Sequence, residues 1–504
     1  MLTEYVEKIL KARVYDVAIE TPLDNMPRLS ERLNNVLWLK REDLQPVFSF
    51  KLRGAYNRMT HLSEKERQQG VVAASAGNHA QGVALSANKM GISALIVMPK
   101  TTPVIKVEAV KAFGAEIKLH GNSYDDACRY AVDIAKEQGR TFIHPYDDPE
   151  VIAGQGTIAM EILRQHPDPI HAVFVPVGGG GLIAGVAAYI KAFWPEIKVI
   201  GVEPEDAACL KVALEKNERV VLDNVGLFAD GTAVRQVGEE PFRIAKETVD
   251  EVITVDSDEL CAAIMDIFDD TRSIAEPSGA LAVAGAKKYI ARENLQDEQL
   301  VVIDSGANIN FDRLRHVAER AELGERREVL FSTTIDESPG SFQKFCQTLS
   351  DKGITEFNYR YADSADAQVF VGLRINGGDA ERQALFASLD DAGYQWTDFS
   401  DNEMAKLHVR YMVGGHAPQV ENEQLYRFEF PERPGALLRF LTQMGQRWNI
   451  SLFHYRNHGA AYGRVLVGVQ VSNEEQTDFH QFLDELGYNY WQETNNPAYQ
   501  LFLK

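Results

Sequence analysis

The sequence predicts an α/β protein: a two-sided α/β body over residues 1–324, followed by two smaller α+β units that arose by duplication. Three observations carry this. From about Val36 to Gly324, short β-branched runs repeatedly precede a glycine turn and then an apolar-periodic stretch, which is the pattern of βα units in a parallel sheet. After a charged stretch at 319–328, suited to a linker, the pattern changes to shorter β-rich units. Within that second half, four landmarks recur in the same order at nearly constant spacing. A chain of 504 residues is also too long for one hydrophobic core.

Taken in order, Val71-Val72-Ala73-Ala74 reads as a buried strand leading into the turn Ser75-Ala76-Gly77-Asn78-His79. Ala94 to Met98 is a second strand, stopped by Pro99, and Ala172 to Val177 a third, ended by four glycines. Val199 to Val202 and Leu300 to Ile303 complete the evident set. Segments 125–138 and 260–269 carry apolar residues at helical spacing and are expected to cover the sheet faces. In the second half, Ser338-Pro339-Gly340-Ser341-Phe342 recurs 95 residues later as Arg433-Pro434-Gly435-Ala436-Leu437. Ile354 to Arg360 recurs as Ile450 to Arg456, Phe370-Val371-Gly372 as Leu466-Val467-Gly468, and Gly393-Tyr394 as Gly487-Tyr488. The reading is a duplicated ββα-type module over 329–401 and 424–494.

A net charge of -21 repels nucleic acid and anionic membrane surfaces, and no apolar run approaches the roughly 20 residues of a membrane span. The four cysteines, Cys128, Cys209, Cys261 and Cys346, lie far apart, and the start Met1-Leu2-Thr3-Glu4 lacks a signal-peptide pattern. The expectation is a cytoplasmic protein with buried, unreactive thiols.

The chemistry-bearing segments are individually ambiguous. Lys51 sits among Phe48, Phe50 and Leu52, neighbours that would desolvate its amine and favour the neutral, nucleophilic form. Taken alone, a lysine in such a mixed segment reads as a solvated surface charge. Ser75 to His79 stands at a strand-to-helix turn, where backbone N–H groups can hold a carboxylate, or where Ser75 or Asn78 simply caps the helix. Gly178-Gly179-Gly180-Gly181-Leu182 opens an apolar helix with unhindered N–H groups suited to a phosphate; four glycines carry an entropic cost with no evident packing return. Gly179, Gly181 and Ala184, with Glu203 about 20 residues on, also fit a dinucleotide fingerprint, so a nicotinamide-dependent dehydrogenase stays open at this point. Ser305, in Asp304-Ser305-Gly306-Ala307-Asn308, falls at the carboxyl edge of the sheet where ligands of such folds bind.

In combination and in this order, these motifs resemble the threonine dehydratases of the fold-type-II pyridoxal-phosphate enzymes, a tryptophan-synthase-β-like body of two α/β subdomains, here with two ACT-like units behind it. The resemblance covers essentially the whole chain. It implies pyridoxal 5'-phosphate as cofactor, with Lys51 as Schiff base and proton acceptor, Phe50 against the ring and Asn78 on the ring hydroxyl. It further implies Gly178 to Leu182 at the phosphate, Ser305 at the pyridine nitrogen, and Ser75, Gly77 and His79 at the carboxylate of the substrate L-threonine. The product is expected to be 2-oxobutanoate with ammonia, in isoleucine biosynthesis. Isoleucine is expected to inhibit, and valine to counteract it, through loops containing Gly340, Phe342, Gly435 and Leu437, in a homotetramer. Some relatives bind a divalent cation through a glutamate and an acidic residue six positions later; Glu203 is followed there by Cys209, so no such metal site is expected. For the whole chain a non-catalytic amino-acid sensor is a competing reading, and for the second half plain packing and dimerisation is.

Overall fold

The computed structural model describes all residues except 1, 312, 337, 339, 350–351, 361–365, 403–404, 407–408, 413, 432–435, 445–446, 457–461 and 504. It divides into two compact units, Met1–Gly324 and Glu325–Lys504.

Two sheets organise the first unit. Its strands are β1 (Leu23–Asn25), β2 (Val36–Arg41), β3 (Val71–Ala74), β4 (Ala94–Met98), β5 (Glu116–Leu119), β6 (Thr141–Phe142), β7 (Ala172–Pro176), β8 (Lys198–Pro204), β9 (Glu251–Val255) and β10 (Gln299–Asp304). The smaller sheet runs β5-β4-β3-β6 and is parallel throughout. The larger runs β1-β2-β10-β7-β8-β9, parallel except for the antiparallel edge strand β1. Strands β3, β4 and β7 are buried on both faces, which explains their unbroken apolar runs. Helices Tyr124–Gln138 and Ser257–Thr271 fall where helical periodicity places them, each started by a capping box. The charged stretch expected to be a linker is largely helix instead: Arg313–Gly324 is helical, and buried Arg320 donates to Asp258. An arginine-rich face that pairs inward leaves the same composition as a solvated connector.

The second unit holds one eight-stranded antiparallel sheet, β14-β11-β13-β12-β16-β17-β15-β18. Its strands are β11 (Glu328–Asp336), β12 (Ile354–Arg360), β13 (Asp366–Arg374), β14 (Trp396–Asp398), β15 (Glu423–Pro431), β16 (Asn449–Arg456), β17 (Tyr462–Gln470) and β18 (Asn489–Gln492). With helices Ser341–Thr348 and Gly378–Asp391 in the first repeat, and Ala436–Met444 and Gln476–Leu486 in the second, each repeat is βαββαβ rather than the shorter ββα read from the sequence. The repeats join through β12 and β16, where Asn358 pairs with His454, its own counterpart in the duplication. The pairing is therefore symmetric about that position, and one apolar core runs through both repeats.

Candidate active site

The segment that carries Lys51 is stitched to the segment that carries Ser305. Phe50 N–H donates to Ser305 O (3.3 Å), Ala307 N–H donates to Phe48 O (2.9 Å), and Ser49 and Gly306 form an antiparallel bridge. Gly306 allows this approach, since a Cβ there would lie 2.9 Å from Phe48 O. Lys51 is the first residue of helix Lys51–Thr60. Its Nζ donates to Pro145 O (3.1 Å) and lies 5.1 Å from the Phe50 ring centroid. Burial pushes the amine down to about 8, partly opposed by the negative charge of Glu276.

The second motif follows β3. Gly77, not Ser75 or Asn78, occupies the cap position of helix Asn78–Met90, and no side chain caps it. Ser75 Oγ accepts from Gly77 N–H (3.2 Å). A Cβ on Gly77 would meet nothing within 4 Å, so this helix start is sterically accessible to a small anion. The His79 side chain is spent elsewhere: its Nε2 lies 2.9 Å from Ile143 O, an acceptor only, so Nε2 carries the proton. Burial, then the Lys51 charge, pushes this ring down to about 3 and keeps it neutral. What His79 offers an anion is its backbone N–H. Asn78 Nδ2 donates to Glu276 Oε1 (2.7 Å), and Asn78 Oδ1 accepts from Asn308 Nδ2 (2.7 Å).

The glycine tetrad follows β7 and opens helix Gly181–Phe193. The entropic argument that these glycines have no packing return does not hold. A Cβ would lie 2.9 Å from Thr232 Cα at Gly178, 2.2 Å from the Tyr146 ring at Gly179, and 3.0 Å from Tyr146 Cα at Gly181. Gly180 adopts φ +90, a conformation that L side chains rarely take. Packing demands glycine here, while the first-turn N–H groups, Leu182 included, have no acceptor within the helix.

Residues 143–147, silent in the sequence, join these parts: Ile143 receives His79, Pro145 receives Lys51, and Tyr146 covers Gly179 and Gly181. Glu276 also went unseen. It caps nothing at the start of helix Pro277–Glu293 and turns its buried carboxyl toward Asn78. Ser305 Oγ donates its one hydrogen to Ser278 O (3.3 Å), which leaves its lone pairs for a protonated ring nitrogen; giving that hydrogen to an unprotonated nitrogen requires the hydroxyl to turn from Ser278 O.

Glu203, the residue that imitates a ribose-binding acid, is fully buried and accepts from Leu210 N–H (2.8 Å) and Lys211 N–H (2.9 Å). It closes the start of helix Cys209–Lys216, and Cys209 Sγ donates to Gly178 O (3.3 Å). That carboxylate is occupied by its own chain, which weakens the nicotinamide reading. In the second unit, Gly340 (φ +91) caps helix Ser341–Thr348, whereas Phe342 is buried against Tyr359, Phe357 and Phe453. Leu437 packs partly against the same core, and Gly435 lies outside the described residues.

A family model described as pyridoxal-phosphate dependent enzyme matches residues 14–306. A second, the C-terminal regulatory domain of threonine dehydratase, matches twice, at 319–409 and 414–503. The L-threonine dehydratase biosynthetic IlvA of Burkholderia multivorans is 58% identical, with 99% of this chain and 99% of that protein covered. Its namesake in Escherichia coli is 56% identical, with 99% and 97% covered. The solved processed form of threonine deaminase isoform 2 from Solanum lycopersicum matches with a TM-score of 0.63 at 51% identity, covering 64% of this chain and 93% of that one.

Proposed function

This chain belongs to the pyridoxal-phosphate-dependent enzymes as a biosynthetic L-threonine dehydratase with two C-terminal regulatory units, and from that premise we propose what its residues do. The reaction converts L-threonine to 2-oxobutanoate and ammonia. The residues fit the cofactor chemically: a desolvated amine, a glycine-lined helix start for a phosphate, and a neutral hydroxyl for the pyridine nitrogen. When bound, pyridoxal phosphate supplies the electron sink that acidifies the substrate Cα–H bond.

Lys51 would hold the cofactor through its amine, and its Nζ would receive the α-proton of the substrate. An amine pushed down to about 8 is neutral in roughly a tenth of molecules at pH 7, far more than an ordinary lysine, and neutral is the state both tasks need. Phe50 would lie against the ring, Gly178 to Leu182 would hold the phosphate, Asn78 would bond the ring hydroxyl and Ser305 would meet the ring nitrogen. The backbone at Ser75, Gly77 and His79 orients the substrate carboxylate, which turns the Cα–H bond toward Lys51. The single observation that carries this assignment is Lys51 Nζ, desolvated and held at Pro145 O, one residue before the Tyr146 that covers the glycine motif.

The regulatory half is proposed to sense isoleucine as inhibitor and valine as its antagonist, at the helix starts near Gly340, Phe342, Gly435 and Leu437. A homotetramer in the cytoplasm completes the reading. The test mixes purified protein with threonine and follows 2-oxobutanoate with and without isoleucine. Lys51→Ala is expected to abolish both the visible absorbance of the bound cofactor and product formation. A cofactor-loaded parent that makes no 2-oxobutanoate overturns the assignment.

A further inference from the structure

The orientation of the Asn78 amide can be deduced from one end of a hydrogen-bond chain to the other. Val47 O is a backbone carbonyl and can only accept, so the group of Asn308 that lies 2.8 Å from it is Nδ2. The same Nδ2 lies 2.7 Å from the Asn78 amide, so Asn78 must turn its oxygen, Oδ1, to Asn308. That leaves Asn78 Nδ2 on the opposite edge, 2.7 Å from Glu276 Oε1, where only an acceptor is compatible. Glu276 also accepts from the Asn308 backbone N–H, and its own N–H donates to Gly306 O (3.0 Å). Glu276, Asn78 and Asn308 thus form a closed triangle on three separate segments. An amide nitrogen carries two hydrogens; Glu276 takes one, and the planar amide then fixes the direction of the other.

We propose that Glu276 is a positioning residue for the dehydration reaction: it locks the Asn78 amide in the single orientation that presents its remaining N–H to the cofactor ring hydroxyl. The proposal rests on the assignment of Asn78 to the cofactor given above. Burial supports the arrangement, since Glu276 is only 4% exposed and shares its surroundings with Gly231, Ser278 and Gly306 rather than solvent. Glu276 caps no helix and makes no salt bridge among the described residues, though its charge reaches Lys51; its hydrogen-bond partners are the Asn308 N–H and the Asn78 amide, and of these Asn78 is the one assigned to the cofactor.

The test measures cofactor dissociation constant and visible absorbance maximum for the full-length parent, Glu276→Leu, Glu276→Gln, Asn78→Ala and the Asn78→Ala/Glu276→Leu double variant. Glu276→Leu is expected to weaken cofactor binding about tenfold or more and to shift the absorbance maximum. Glu276→Gln, which keeps an acceptor oxygen, is expected to recover most of both. In the Asn78→Ala background Glu276→Leu should have little further effect, because its action passes through Asn78. Independent, multiplicative losses in the double variant overturn the proposal, as does a Glu276→Leu protein with parental affinity and spectrum. If the parent itself bound no cofactor, the assignment of the site would fail first, so the two failures are distinguishable.

Discussion

Glu203 shows what a single buried carboxyl does to the stability of this protein. Burial pushes it up to about 7, against the lowering effect of the Leu210 and Lys211 N–H groups. The folded state therefore keeps this proton to a higher pH than the unfolded chain, whose glutamate titrates near 4.5. Between those values the folded state binds more protons, so this group's contribution to stability is present below about 4.5 and is lost as pH rises through about 7. Glu203→Gln removes that dependence. The variant's melting temperature minus the parent's should become more positive from pH 5 to pH 8; a difference independent of pH would refute this. The sequence placed Glu203 at a strand end but not its task, because the N–H groups it receives belong to the following helix. Glu276 was illegible for a related reason: its partners, Asn78 and Asn308, lie 198 residues before it and on a later loop, and no local pattern marks a carboxyl that declines to cap its own helix.

At the scale of elements, the start of helix Lys51–Thr60 is anchored by Arg53, two residues beyond Lys51, the proposed catalytic residue. Arg53 is fully buried and donates to both oxygens of Glu42 (2.8 Å each) and to Glu161 (2.6 and 3.0 Å). Lys40 Nζ donates to the same Glu161 (2.6 Å), so two cations and two carboxylates balance out of reach of water. Removing one member of such a cluster leaves an uncompensated buried charge, at a typical cost of about 3–5 kcal/mol. Arg53→Met should lower stability by that order, measured by denaturant unfolding, and should displace Lys51 enough to alter the absorbance of bound cofactor. A loss below about 1 kcal/mol would sink this account. The strands were readable because burial on both faces of a parallel sheet demands unbroken β-branched runs, as at Ala94–Met98. The glycine tetrad was readable as a helix start, but the reason for each glycine was not, since Tyr146 and Thr232 approach it from other segments. Charge composition misled at Arg313–Gly324, where Arg320 turns inward to Asp258.

At the scale of the molecule, the two units differ in what makes them cohere. Apolar clusters within Met1–Gly324 have members running from Tyr5 to Ala321. Within Glu325–Lys504 one cluster spans both repeats, with Phe342 and Phe357 of one against Phe453 of the other. The duplication was legible because strands and glycine turns recur in register; the shared sheet was not, because pairing of β12 with β16 leaves no signature beyond ordinary alternation. Each unit has an apolar core of its own, and that of the second is shared between its two repeats. A chain ending at Gly324 should fold, bind pyridoxal phosphate and release 2-oxobutanoate from threonine with a KM within a few fold of the parent. Every residue assigned to the chemistry, from Phe50 to Ser305, lies inside that span. The same protein should be indifferent to isoleucine at concentrations that inhibit the parent, and valine should have nothing to counteract. Full isoleucine inhibition of the truncated protein would place the effector site in the first unit and remove the proposed role of the duplicated half. Ending the chain between the repeats, near Val420, is the sharper comparison: it leaves β12 without β16 and Phe342 and Phe357 without Phe453, so the remaining repeat should expose apolar surface and associate or precipitate.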